Sequence, residues 1–235
     1  DVAKQLMIGV EPSRQELPPV VFTVLRNGQR RDISATPLIS CDYGFHVVQE
    51  EGLNAYADGR NVMIHQAMMR FAESDTELAA VMAHELAHNL MGHIEAQETN
   101  AAGGMLLDLL AAGLGVNTQG AFMKLAAGAY SQEFEAEADH VGLYIMALAN
   151  YDMIDAPNFW RRMAIEHPSG IDYGASHPTT PERFLGLENA IALITEQRSA
   201  GIDLASQVNI PDLSAWSDAP VHESPKSGEQ GRKGA

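Results

Sequence analysis

From residue 74 to 92 the chain is apolar on nearly every side. Leu78, Ala79, Ala80, Val81, Met82, Ala83, Leu86 and Leu90 leave no continuous polar stripe, the pattern of a helix buried all round. Ser74-Asp75-Thr76-Glu77 forms a capping box that starts this helix, and Gly92 is a suitable stop. Upstream, residues 45–48 and 53–57 read as strands, and Asp58-Gly59-Arg60-Asn61 as a turn. Residues 62–65 are the returning strand, before a helix beginning near Gln66. Earlier still, the β-rich run 20–25 meets Asn27-Gly28, which predicts a hairpin. Downstream, Ser131 caps a helix over 132–149, Asp155-Ala156-Pro157 opens another, and Thr179-Thr180-Pro181-Glu182 opens a last long helix ending near Gly201. Residues 101–128 are rich in Ala, Gly and Leu; a close-packed helical hairpin is preferred over a lid or a membrane-touching loop. The fold class is therefore α+β, mainly α, built on a central helix with a small β-sheet beside it.

The central helix carries His84-Glu85-Leu86-Ala87-His88. One turn is ~3.6 residues, so the two histidines share a face and Glu85 lies beside them. Imidazoles so placed hold one side of a tetrahedral zinc, and the adjacent carboxylate reaches a water on the metal. The bland alternative is a pair of core histidines hydrogen-bonded to backbone with Glu85 at the surface. A catalytic zinc needs a third protein ligand and an open position. Farther along, Glu135 and Asp139 lie one turn apart on a face that also bears Ala138 and Gly142, small enough for another helix to approach. Acidic groups on an inward face want a cation. Glu133 and Glu137 suit a solvated face, and His93, just past the helix stop, reads as structural or exposed.

Composition narrows the function. Fifteen basic residues against 31 acidic give a formal charge of −16, which disfavours nucleic acid and anionic lipid as partners. A single cysteine, Cys41, rules out an intramolecular disulfide or a cysteine-based zinc site, and reads as a buried small residue. No apolar run reaches the ~18–20 residues of a membrane span; the nearest, 105–115, is short and carries Asp108. The chain begins at Asp1, as a trimmed product would, which leaves room for a lipid anchor outside it. Three segments are expected: a β-rich one over 1–40, a zinc peptidase domain over 41–207 and a disordered polar tail over 208–235. The run 24–28 with Pro37 resembles the late strands of a PDZ-like module; a hairpin on the main domain is the alternative.

Several blocks occur in the order of one family: Asn54-Ala55-Tyr56-Ala57, Glu77-Leu78-Ala79-Ala80-Val81, the His84–His88 motif, Ser131, Glu135-Ala136-Glu137-Ala138-Asp139-His140-Val141-Gly142, His177-Pro178 and Arg183. Over residues 53–193 the chain resembles gluzincin metallopeptidases of the HtpX, BepA and CAAX-prenyl-protease type. The resemblance implies a zincin-like fold and one Zn²⁺ per chain held by His84, His88 and Glu135. It makes Glu85 the general base and gives Asp139 the orienting of a histidine ligand. His177 matches a histidine near the metal, one that assists the oxyanion or occupies the open position, and Arg183 an arginine that shapes the cleft. Gln132 departs from the arginine common there. The expected activity is endopeptidase action on protein or peptide substrates such as unfolded or misassembled envelope proteins. The periplasm is the expected compartment, and the alternative function is a zinc-bound chaperone-like module with little proteolysis.

Overall fold

A computed structural model describes residues 2–9, 18–36, 43–127, 131–166, 168, 177 and 180–208. The expectations for Cys41, most of the loop before Pro181 and the polar tail beyond 208 lie outside them.

The organising element is α3, Asp75–Leu90, in which every residue from Ala79 to Leu90 is buried. Its start is fixed locally. Ser74 Oγ accepts the Glu77 N–H at 3.2 Å, and the Glu77 carboxylate takes the Glu73 N–H at 2.7 Å. Arg162 then clasps that carboxylate with two bonds of 2.7 Å while lying over the Phe71 ring. A cap of this kind stabilises a helix by ~1 kcal/mol. Its end is fixed by Gly92, whose φ of +68° turns the chain sharply into the next helix.

A three-stranded sheet flanks α3. Strands β3 (Gly44–Val48), β4 (Ala55–Ala57) and β5 (Asn61–His65) run in the order β3-β5-β4, with β3 parallel and β4 antiparallel to β5. Asn89, fully buried on α3, fastens the β4–β5 turn: it accepts the Gly59 N–H at 2.7 Å and donates to the Asn61 carbonyl at 3.0 Å. Helix α2, Gln66–Phe71, returns the chain to α3.

Helix α6 (Ser131–Leu148) crosses α3 at small residues. A Cβ on Gly142 would lie 3.2 Å from the Ala83 carbonyl carbon and from the His84 nitrogen, so any side chain here would press on the α3 backbone, and glycine eases the close approach. Helices α7 (Ala156–Glu166) and α8 (Pro181–Ser199) close the core, followed by a 3-10 turn at Leu204–Gln207. Leu86, Leu90, Tyr144, Phe159 and Ile194 are almost wholly buried, each worth ~1.5–3 kcal/mol. The fold is thus mainly helical with small sheets, the α+β zincin-like architecture.

One region differs from the sequence reading, and two expected hairpins form but leave much of their surface exposed. Residues Val2–Gly9 form helix α1, which the β-rich reading of 1–40 misses; its Val2 and Leu6 enter the core against α3 and α6. The predicted hairpin forms as β1 (Val20–Arg26) and β2 (Gln29–Ala35), with both turn residues at positive φ, and is exposed along nearly its whole length. The Ala/Gly/Leu-rich stretch is a hairpin of α4 (His93–Gly113) and α5 (Ala121–Ala127). It packs closely at one point, where a Cβ on Gly104 would lie 2.3 Å from the Phe122 carbonyl oxygen. Its leucines, however, face solvent: Leu106, Leu109 and Leu110 are each about 60% exposed. Among the described residues no helix is long and apolar enough to cross a membrane.

Candidate metal centre

The crossing of α3 and α6 brings buried polar groups together. His84, Glu85 and His88 come from α3 and Glu135 and Asp139 from α6, all buried. His177 joins them from the segment before α8. One donor atom each from His84, His88, Glu135 and His177 lies within 4.8 Å of the others. His84 Nε2 is 3.2 Å from His88 Nε2 and 3.4 Å from Glu135 Oε2, and His88 Nε2 is 3.4 Å from Glu135 Oε1. His177 Nδ1 lies 2.8 Å from Glu135 Oε1 and 3.4 Å from His84 Nε2, while its Nε2 is 3.5 Å from Glu85 Oε1.

A supporting layer surrounds these groups. Asp139 Oδ1 lies 3.0 Å from His84 Nδ1. Buried Arg183 donates to both Asp139 oxygens at 2.6 and 2.7 Å and reaches Glu135 Oε2 at 2.9 Å. Its guanidinium sits over the Trp160 ring, which also meets His84 edge-on.

The electrostatics call for positive charge. Three buried carboxylates, on Glu85, Glu135 and Asp139, face one buried guanidinium, and a lone buried ion is costly. Burial alone would lower the His84 pKa, yet the adjacent carboxylates of Asp139 and Glu135 outweigh it and raise it to about 10. Burial pulls His88 down to about 4. His177 is raised, the carboxylates of Glu85 and Glu135 prevailing over burial. Glu135 is held well below its usual range, because its histidine partners outweigh the burial that would raise it. Asp139 is likewise lowered by Arg183 and His84 against burial. Without a cation His84 and His177 therefore draw protons; a divalent ion would supply the same charge in their place. The donor set suits zinc, and Glu85 Oε2, buried with no hydrogen-bond partner among the described residues, is the oxygen that a water on such an ion would satisfy.

All seven residues singled out in the sequence converge here: His84, Glu85, His88, Glu135, Asp139, His177 and Arg183. Arg183 is a buried ion-pair partner and not merely a cleft wall. The sequence reading missed three contributors. Trp160 carries no local signal. His93 read as structural or exposed, but is 1% exposed with Nδ1 3.0 Å from His88 Nδ1. Glu137 read as a solvated acid, and its half-exposed side chain nevertheless accepts from His93 Nε2 at 3.0 Å. The left-handed Gly92 was the available signal, because it folds His93 back toward His88.

The chain matches the profile of peptidase family M48 over residues 25–191. It is 30% identical over 167 residues to a putative beta-barrel assembly-enhancing protease of Vibrio cholerae, covering 63% of this chain and 34% of that protein. It is 29% identical to the mitochondrial metalloendopeptidase OMA1 of Schizosaccharomyces pombe, covering 68% and 50%. The mitochondrial metalloendopeptidase OMA1 of Danio rerio aligns at 28% identity over 89% of this chain and 46% of its own length. The chain thus spans a third to a half of the length of these relatives.

Proposed function

The chain belongs to peptidase family M48, and from that premise we propose that it is a zinc-dependent endopeptidase in which His84, His88 and Glu135 hold the metal and Glu85 is the general base. The observation that carries this reading is the convergence of the three donors beside a buried Glu85 whose Oε2 has no hydrogen-bond partner among the described residues.

When bound, zinc lowers the pKa of a coordinated water toward ~7 and polarises the scissile carbonyl. The chain's own residues do the rest. Glu85 takes the proton of the attacking water and passes it to the leaving amine. Asp139 orients His84 through Nδ1 and is itself held by Arg183. The substrate backbone adds along β4, a short edge strand packed against α3, as peptides add to exposed sheet edges. A cleft of about 520 Å³ between α6 and α8, bordered by Ala136, His140 and Arg183, accepts a side chain. Unfolded or misassembled envelope proteins are the substrates, and the bacterial periplasm is the compartment, by analogy with the beta-barrel assembly-enhancing proteases. The mitochondrial names of other relatives mark the second compartment to test.

One observation favours a second reading. His177 brings a fourth donor into the cluster, and a closed four-donor zinc is a structural site. Zinc content and casein cleavage, with and without chelator, test both readings. Glu85→Gln should keep zinc and lose ~10²–10⁴-fold in rate; undiminished cleavage would place the base elsewhere. His177→Ala should lower kcat by up to ~10²–10³ at full zinc occupancy if His177 assists the oxyanion. A rise in rate would show that His177 blocks the site.

A further inference from the structure

We propose that Glu137 and His93 form a relay that fixes the His88 ring for metal binding, which makes both of them positioning residues. The inference rests on His88 being a metal ligand, as argued above.

Proton placement along the Glu137–His93–His88 row is set by which atoms can donate. His93 Nε2 lies 3.0 Å from Glu137 Oε2. A carboxylate only accepts, so the nitrogen facing it carries the proton. With His93 neutral, its one N–H is spent on Glu137 and Nδ1 is left as a bare acceptor. That atom faces His88 Nδ1 at 3.0 Å, and two bare nitrogens would repel at this distance. His88 Nδ1 must therefore carry the proton and donate it. The lone pair of His88 is then on Nε2, the atom that faces His84 and Glu135. The relay thus selects the tautomer that ligates, as the partner of one ring nitrogen does for the other.

The two histidines of α3 are served differently from one helix. His84 receives a carboxylate directly, from Asp139. His88 receives one through an intervening imidazole, from Glu137. With Glu135, the three acids stand at alternate positions of α6. His93 is held for this purpose: it is buried and stacks on the Phe134 ring, with centroids 4.4 Å apart and planes 11° from parallel. Gly92, at φ +68°, is the turn that brings it back.

The test compares His93→Leu, His93→Asn and Glu137→Ala with the wild type. Zinc affinity is measured by chelator competition, and the His88 tautomer by ¹⁵N NMR of the zinc-free protein. His93→Leu should weaken zinc by ~10–100-fold, the size of losing a ligand's orienting partner. His93→Asn should recover most of that loss, because its carbonyl can accept from His88 Nδ1. Glu137→Ala, at a side chain 47% exposed, leaves the fold intact and should weaken zinc several-fold while mixing the His88 tautomers. A purely packing role for His93 would rank leucine level with or above asparagine and leave Glu137→Ala silent in both readouts, and either result overturns the relay. If His93→Leu fails to fold, Glu137→Ala decides. If the wild type itself takes up no tight zinc, the metal reading fails, and the tautomer of His88 in the zinc-free chain still judges the relay.

Discussion

Helices α3 and α4 follow one another in the chain and treat their side chains in opposite ways. Helix α3 buries two histidines, a glutamate and an asparagine along with Leu86 and Leu90. Helix α4, with a single acid in its second half, exposes Leu106, Leu109 and Leu110. Composition alone ranks the two the other way round. Burial follows from what packs against a helix. Helix α3 has α6, α7, α1 and the sheet around it, whereas α4 has mainly α5. The cost of burying charge on α3 is offset by charged partners on other elements, while Glu85 Oε2 has no hydrogen-bond partner among the described residues. Even Asp108, the acid in the second half of α4, is used locally, accepting the Phe122 and Met123 N–H groups at 3.2 and 2.9 Å.

The contrast can be broken at several strengths. The largest effect is expected at Arg183. Arg183→Met removes the cation that faces Asp139 and Glu135, and breaking a buried pair in this way costs ~3–5 kcal/mol. Denaturant unfolding of the zinc-free protein should show the full loss. Bound zinc should reduce it, because Glu135 then faces the metal; equal losses with and without zinc would separate Arg183 from the metal centre. Asp139→Asn should weaken zinc retention by ~10–100-fold, as read by competition with a chelator. Gly142→Ala forces the α3–α6 crossing apart and should cost ~1–3 kcal/mol. The distance from the Ala83 backbone to an added Cβ is only 3.2 Å, so a neutral result would mean that the helices can slide. The smallest effect is expected on the other helix. Leu109→Gln, at a side chain 63% exposed, should change stability by less than ~0.5 kcal/mol, and a larger loss in thermal unfolding would show that something covers that face.

Much of the site was legible because it is local. The spacing of His84 and His88 places both on one face in any helix, and the Ser74 cap starts that helix where the motif needs it. Glu135 and Asp139 obey the same one-turn rule, with Gly142 a turn farther to permit the approach. The hairpin at Asn27-Gly28 and the β4–β5 turn at Gly59 are likewise short-range, since a turn with positive φ is set by its own residues. Family blocks then tied the two helices to one centre.

The rest depended on contacts between residues far apart in the chain. The amphipathic pattern of Val2–Gly9 is only two turns long, too little to signal a helix before α3 and α6 supply its partner surface. Trp160 and Arg183 acquire their roles from a ring and two carboxylates on other helices. His93 and Glu137 carry no sign that they meet, because 44 residues separate them and only the return of α6 across α3 closes the gap. The exposure of the α4 leucines was equally hidden, since periodicity reports which positions share a face and not whether anything packs against it. The sequence by itself determined which side chains could bind a metal and that the central helix would be buried; the tertiary structure decided which partners hold them there, because a hydrogen bond or an ion pair between helices exists only once the helices have been placed.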